Sequence, residues 1–186
     1  MFWSARDLVQ FCEPGSDIPH LATSSTPEEW ASKARALFDV RNYWHAMHCY
    51  ERASLPREKA VANAYHLREQ ARKTSATKGS NTARADSFVL AAEAFYVSAQ
   101  DASTEKSVYY RISAECFLQA GEYARAAGSY YMAGEYTLSA KQYRRAGLFD
   151  EAVKIVKEHG DSVEHETADA IINVSRIYYL REHRLS

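Results

Sequence analysis

Proline is missing from Arg57 to Ser186, and all four prolines, Pro14, Pro19, Pro27 and Pro56, lie in the first third of the chain. A sheet protein with ordinary turns uses proline throughout, so this absence nearly excludes one and suits uninterrupted helices. Cysteine is scarce as well. Cys12, Cys49 and Cys116 are odd in number and have no metal-ligand spacing, which argues against a disulfide framework and for a reducing, intracellular compartment, cytoplasm or nucleus. No apolar run approaches the roughly 18 residues that would suggest a membrane span. Arg6 and Asp7 stand where a signal peptide would carry its apolar segment, so no export is expected. No glycine is followed by lysine; the phosphate loop, whose backbone N–H groups and lysine converge on phosphates, is therefore lacking. Neither a nucleophile elbow nor a Cys-His signature stands anywhere in the chain. With no catalytic residue, cofactor or metal to assign, the chain does not read as an enzyme. A surplus of one charge is lacking too: formal net charge is −1 and the isoelectric point about 6.7, which gives no global argument for a nucleic-acid or membrane partner.

What is present is a phrase written four times. Tyr110, Tyr123, Tyr136 and Phe149 are each followed three residues on by a small residue, Ser113, Ala126, Ser139 or Ala152. Four residues further comes Phe117, Tyr130, Tyr143 or Val156, and Ala120-Gly121, Ala133-Gly134 and Ala146-Gly147 close the first three copies. The period is 13 residues, and a fixed period with glycine at a fixed place is the mark of a repeat architecture. The offsets 0, +3, +7 and +10 lie on one helical stripe, so each copy is one amphipathic helix. The glycine supplies the left-handed position where a helix stops. A helix of about ten residues is marginal alone in water and must bury its stripe against its neighbours.

In chain order, residues 1–25 read as a linker with a short helix carrying Phe2, Trp3, Leu8, Val9 and Phe11. Residues 26–73 form an N-terminal helical portion. It opens at Thr26-Pro27-Glu28-Glu29, a capping box with proline at the first helical position, and its first helix stops near Arg41-Asn42. There the phrase first occurs, as Tyr43, Ala46, Tyr50 and Ala53, with Ser54-Leu55-Pro56 where Gly147-Leu148-Phe149 stands later. Residues 74–82 are small and polar and read as a flexible loop. The C-terminal array covers 83–160 and includes a weaker copy from Val89 to Ala99. The last segment, 161–186, is a terminal helix near Glu164 to Glu182. On a wheel centred on Ile171 its apolar residues occupy nearly the whole circumference, so Ile172, Ile177, Tyr179 and Leu180 form a candidate interaction surface.

The phrase Gly121-Glu-Tyr123-Ala-Arg-Ala126-Ala-Gly-Ser-Tyr130-Tyr-Met-Ala133 resembles the second half of a tetratricopeptide repeat (TPR). Its period is shorter than that family's roughly 34 residues. The resemblance therefore implies an all-α, TPR-like α-solenoid of antiparallel helix hairpins, with about 9–10 helices. Ala36-Leu-Phe38, Tyr43 to Ala53, Ala62 to Ala71 and Ile171-Ile-Asn-Val-Ser175 are similar to the helical-repeat region of large UvrD-like helicases and TPR-and-ankyrin-repeat proteins. That resemblance implies a non-catalytic scaffold for docking another protein, or another domain of a larger chain, beside a helicase module.

Two further patterns carry alternatives. Eight basic and three acidic residues fall between Glu51 and Arg84, and two basic and seven acidic between Asp150 and Asp169. Solvated faces explain this; the functional alternatives are a basic patch, Arg57, Arg68, Arg72 and Lys73, touching nucleic acid, and an acidic-to-basic docking pair. His45, His48 and Cys49 resemble a helical metal site at first sight. They spread too widely around one helix to converge on an ion, and His159, His165, Glu166 and Asp161 read as a solvated turn.

Overall fold

A computed structural model describes residues 25–76, 81–102 and 104–185. The expected N-terminal helix around Phe2 to Phe11 lies outside the described residues. Among those described the protein is all-helical, with nine α-helices and no strand. The chain divides into two compact units, 1–70 and 71–186.

The first unit holds α1 (Pro27–Asp39), α2 (Tyr43–Arg52) and most of α3 (Pro56–Ala76). Thr26 begins α1 with both capping-box bonds: the Glu29 N–H donates to Thr26 Oγ1 at 3.3 Å, and the Thr26 N–H donates to Glu29 Oε2 at 2.8 Å. Two otherwise orphaned amides are satisfied in this way. The α1 stripe Trp30, Ala34 and Leu37 is buried against Ala46, Met47 and Tyr50 of α2. Phe38, Tyr43 and Tyr65 bring one ring from each of the three helices together, Tyr43 stacked on Tyr65 at 5.0 Å and Phe38 edge-on to both.

The second unit holds the end of α3, α4 (Asn81–Asp101), α5 (Lys106–Ala120), α6 (Tyr123–Ala133), α7 (Tyr136–Arg145), α8 (Phe149–His159), a short 3-10 turn (Gly160–Ser162) and α9 (His165–Leu185). From α5 to α9 each helix packs on the one before it, and α9 also reaches α7. The residues at the +3 offset, Ser113, Ala126, Ser139 and Ala152, are fully buried. Their size matters because backbones meet there. Ser113 Oγ donates to the Ala92 carbonyl on α4, and Ser139 Oγ donates to the Ala127 carbonyl on α6, both at 2.8 Å.

One turn recurs in both units. Arg41, Ser54, Gly121, Gly134 and Gly147 all have φ between 57° and 82°. In each case the N–H of the following residue donates to the carbonyl five positions back: Asn42 to Leu37, Leu55 to Tyr50, Glu122 to Phe117, Glu135 to Tyr130 and Leu148 to Tyr143, at 2.8–3.0 Å. That bond closes one helix through a left-handed cap. The carbonyl of the same residue then accepts the first bond of the next helix, from Ala46, Lys59, Ala126, Ser139 or Ala152. One residue thus ends one helix and begins another, which leaves no slack between them.

Two of the five left-handed positions carry side chains, at the steric cost that an L-residue has in this region. Ser54→Gly is expected to raise unfolding stability by about 0.5–1 kcal/mol, the relieved strain less the entropy lost by glycine. At Gly134, where an added Cβ meets no atom within 4 Å, Gly134→Val is expected to lose more than about 1 kcal/mol from backbone strain alone, and Gly134→Asn less. Urea denaturation of the three variants measures both effects; equal stability of all three would show that the turn does not depend on its left-handed residue.

The structure departs from the sequence reading where such a turn is missing. Thr74, Ser75 and Ala76 continue α3, and Asn81 and Thr82 already belong to α4, so the described residues of 74–82 are helical; residues 77–80 lie outside the described ones. Val89 to Ala99 is the latter part of the 21-residue α4 and not a separate helix. Tyr110 falls in the second turn of α5, which starts at Lys106 because no glycine precedes it at the proper distance. Gly160 stands 13 residues after Gly147 yet adopts φ −52°, and the chain enters the 3-10 turn there.

Candidate interaction surface

A groove of about 650 Å³ lies on the second unit, across four successive helices. Tyr96 and Val97 come from α4, Phe117 from α5, Gly128, Tyr131 and Met132 from α6, and Tyr143 from α7. Val97 and Met132 are about half exposed in it. Ser129, buried beneath, lies 3.4 Å from the Ser113 hydroxyl. On the wall, Arg125 Nη2 contacts Glu93 Oε1 at 2.6 Å, and the same guanidinium lies 4.2 Å from the Phe117 ring centre. Both charges are thereby neutralised locally, and the remaining lining is ring and aliphatic surface with hydroxyl tips. Burial pushes the Tyr143 hydroxyl above its ordinary range, with Glu151, Tyr131 and Tyr96 adding to the effect. It stays protonated and able to donate a hydrogen bond at neutral pH.

Gly128 also lines this groove. It sits inside α6, where glycine costs about 1 kcal/mol relative to alanine. Neither strain nor crowding requires it: a Cβ there would meet only the Tyr143 hydroxyl, at 3.7 Å, which is ordinary contact.

Sequence reasoning missed this groove, although two signals were present. Gly128 is out of step with the 13-residue glycines. Tyr131 and Met132 are large residues off the buried stripe, at offsets +8 and +9 from Tyr123.

The terminal helix α9 is placed by its first residues. The Glu164 N–H donates to Thr137 Oγ1 at 3.0 Å, and the Glu164 carboxylate meets Lys141 Nζ at 2.7 Å and Thr167 Oγ1 at 3.2 Å. The bond from Lys141, its charge and the Thr167 bond hold that carboxyl below the usual carboxylate range. Thr167, Ile171 and Ser175 form the buried face, while Ile172, Ile177 and Leu180 are each about half exposed. Tyr179, grouped with them from the sequence, is engaged: its hydroxyl donates to Asp150 Oδ1, and Tyr178 lies against Phe149 with ring centres 5.1 Å apart.

The basic residues are divided between the units. Arg57 and Arg68 stand on the part of α3 within the first, and Arg72 and Lys73 on the part within the second. Arg57, Arg72 and Lys73 are exposed and Arg68 is half-buried. Nearby Lys59 is neutralised by Glu51 at 2.5 Å.

Among the described residues no group of His, Cys, Asp or Glu could hold a metal ion. Cys49 is buried, and His45 Nδ1 lies 2.6 Å from Asn42 Oδ1. Burial, then His48 and Lys33, lower the His45 pKa. His48 is half-buried edge-on to Trp44, with ring centres 4.6 Å apart. His159, expected in a solvated turn, instead stacks on Tyr136 at 3.7 Å and contacts the Tyr131 hydroxyl at 3.3 Å, which joins it to one side of the groove. No described helix is long and apolar enough to cross a membrane.

Comparison of the chain with protein-family models, with curated proteins and with solved structures returned no match.

Proposed function

We propose that this chain is a TPR-like α-solenoid of antiparallel helix hairpins that works as a non-catalytic scaffold, docking a protein partner or another domain of a larger chain. The observation that carries this reading is the groove of about 650 Å³ on α4 to α7, with Val97, Tyr131 and Met132 lining it. Small buried residues at +3 support it, since they bring the helices close and leave large side chains to shape the surface. Repetition of one turn at 13-residue spacing supports the solenoid. The resemblance to helical-repeat regions beside UvrD-like helicase modules suggests the setting.

The test is selection of peptides from a random displayed library on the 186-residue chain, followed by affinity measurement on Val97→Glu and Met132→Glu. Both sites are exposed, so the fold is retained. Binding is expected to weaken about tenfold or more in each, as for a partly exposed apolar contact replaced by an unpaired charge. Selected peptides indifferent to both substitutions would overturn the assignment of the groove.

The second reading, nucleic-acid contact through Arg57, Arg68, Arg72 and Lys73, rests on the local excess of positive charge. Titration with single-stranded and duplex DNA at two salt concentrations decides it, because a phosphate-driven contact weakens steeply with salt. The scaffold reading expects no such binding.

A further inference from the structure

The groove on α4 to α7 offers rings and hydrogen-bond donors but few acceptors. Tyr96, Phe117, Tyr131 and Tyr143 line it with aromatic surface, together with Val97 and Met132. Glu93 is the one carboxylate among the described lining residues, and its Oε1 is already engaged by Arg125 at 2.6 Å. The phenol hydroxyls are less fully used. Tyr131 Oη lies 3.3 Å from His159 Nε2, whereas neither the Tyr96 nor the Tyr143 hydroxyl has a hydrogen-bond partner among the described residues. Both keep a proton to donate.

This combination disfavours two common occupants. An amphipathic helix satisfies its own backbone and lays apolar side chains into a groove; it would cover both hydroxyls and leave them stranded, at the usual cost of a buried polar group without a partner. An ordinary extended strand brings an N–H with each C=O, and its inward N–H groups would meet ring faces and aliphatic carbon. Proline differs from both. It keeps the carbonyl and lacks the N–H, and its ring packs on aromatic surface. A run of prolines also holds the polyproline II helix before binding, with no hydrogen bond inside the chain to compete for its carbonyls.

We propose that the groove on α4 to α7 receives a proline-rich segment of the partner as a polyproline II helix, its rings on the tyrosine rings and its carbonyls accepting from the Tyr96 and Tyr143 hydroxyls. The proposal rests on the docking reading above and names the chemistry of what docks. Charge agrees with it. An uncharged segment suits a lining whose two charges already cancel, whereas an acidic or basic segment would have to part Arg125 from Glu93 to be matched. A segment ordered in advance loses little entropy on binding, so a few ring contacts and two hydrogen bonds hold it weakly and reversibly.

The probe is a fluorescently labelled oligoproline of about eight residues, roughly 25 Å long at the rise of this helix. Its anisotropy on titration with the 186-residue chain, at up to about one millimolar, where association becomes marginal, is expected to show saturable binding. A glycine-serine peptide of equal length, which has N–H groups and no preformed shape, should bind about tenfold or more weakly. Tyr96→Phe and Tyr143→Phe keep the rings and remove only the hydroxyls, so each should weaken oligoproline binding about threefold to tenfold, the worth of one hydrogen bond. Neither should change the thermal unfolding midpoint, because neither hydroxyl bonds within the described chain. Oligoproline that fails to saturate, or that binds no better than the glycine-serine peptide, would overturn the proposal. So would binding indifferent to both phenylalanine variants, since the donors would then play no part. If the library-selected peptides lack proline yet lose affinity on Val97→Glu and Met132→Glu, the groove reading stands and the proline proposal alone falls.

Discussion

Phe95→Ala is expected to cost about 3–5 kcal/mol, the range for removing a large aromatic ring from a core. Phe95 is fully buried on the 21-residue helix α4, and its ring neighbours Tyr109 of α5. Tyr110, also of α5 and 1% exposed, is held against Tyr96. These are rigid groups on two tightly packed helices, so the cavity has little means of closing. Against a total of about 5–15 kcal/mol for an ordinary domain, the loss would leave the second unit marginal. Urea denaturation followed by circular dichroism measures it; a loss below about 1 kcal/mol, the scale of a surface substitution, would mean that α4 and α5 do not form the centre of this unit.

The second large effect concerns size at a position where the sequence offers only a hydroxyl. Ser139 is fully buried and its Oγ touches the Ala127 carbonyl of α6, so the two helices are separated by little more than one small side chain. Ser139→Leu removes that hydrogen bond, worth about 1 kcal/mol, and forces a larger group into a filled space, at about 1–3 kcal/mol more. Ser139→Ala pays only the first of these. The expected order in denaturant midpoint is Ser139, then Ser139→Ala, then Ser139→Leu well below both. A leucine variant as stable as the alanine one would show that α6 and α7 can move apart freely.

Much of the helical plan was legible because two kinds of signal coincide in α6, α7 and α8. The buried stripe at 0, +3, +7 and +10 repeats with the packing, and glycine marks the turns. Where these separate, the sequence misled. Ala92 keeps the stripe in α4 and is fully buried, but no left-handed residue interrupts the helix, so two apparent elements are one. Arg41 and Ser54 take the glycine conformation without being glycine; only their alignment with the later phrases hints at it. Gly160 shows the converse, a glycine in register that remains right-handed; Asp161-Ser162 follows it where Glu122-Tyr123, Glu135-Tyr136 and Leu148-Phe149 follow the other glycines. The terminal helix was read as apolar all round. The structure divides that circumference into a face on α7 and α8, a side tied to Phe149 and Asp150 through Tyr178 and Tyr179, and an open remainder at Ile172, Ile177 and Leu180. The groove was not legible as a groove because its lining comes from four helices, and spacing along one helix does not show what stands across from it.

The turn shared by Arg41, Ser54, Gly121, Gly134 and Gly147 also limits how such a chain can change in length. Since a single residue closes one helix and opens the next, one extra residue there would rotate the following helix by about 100° and carry Ala126, Ser139 or Ala152 from the interior to the water. Small insertions, which ordinary loops absorb, would be rejected at these junctions. Gain or loss of a whole 13-residue unit, from Gly121 to Gly134 or from Gly134 to Gly147, keeps every later residue in phase. Inheritance would then edit this array by about thirteen codons at a time, through duplication and deletion of complete phrases.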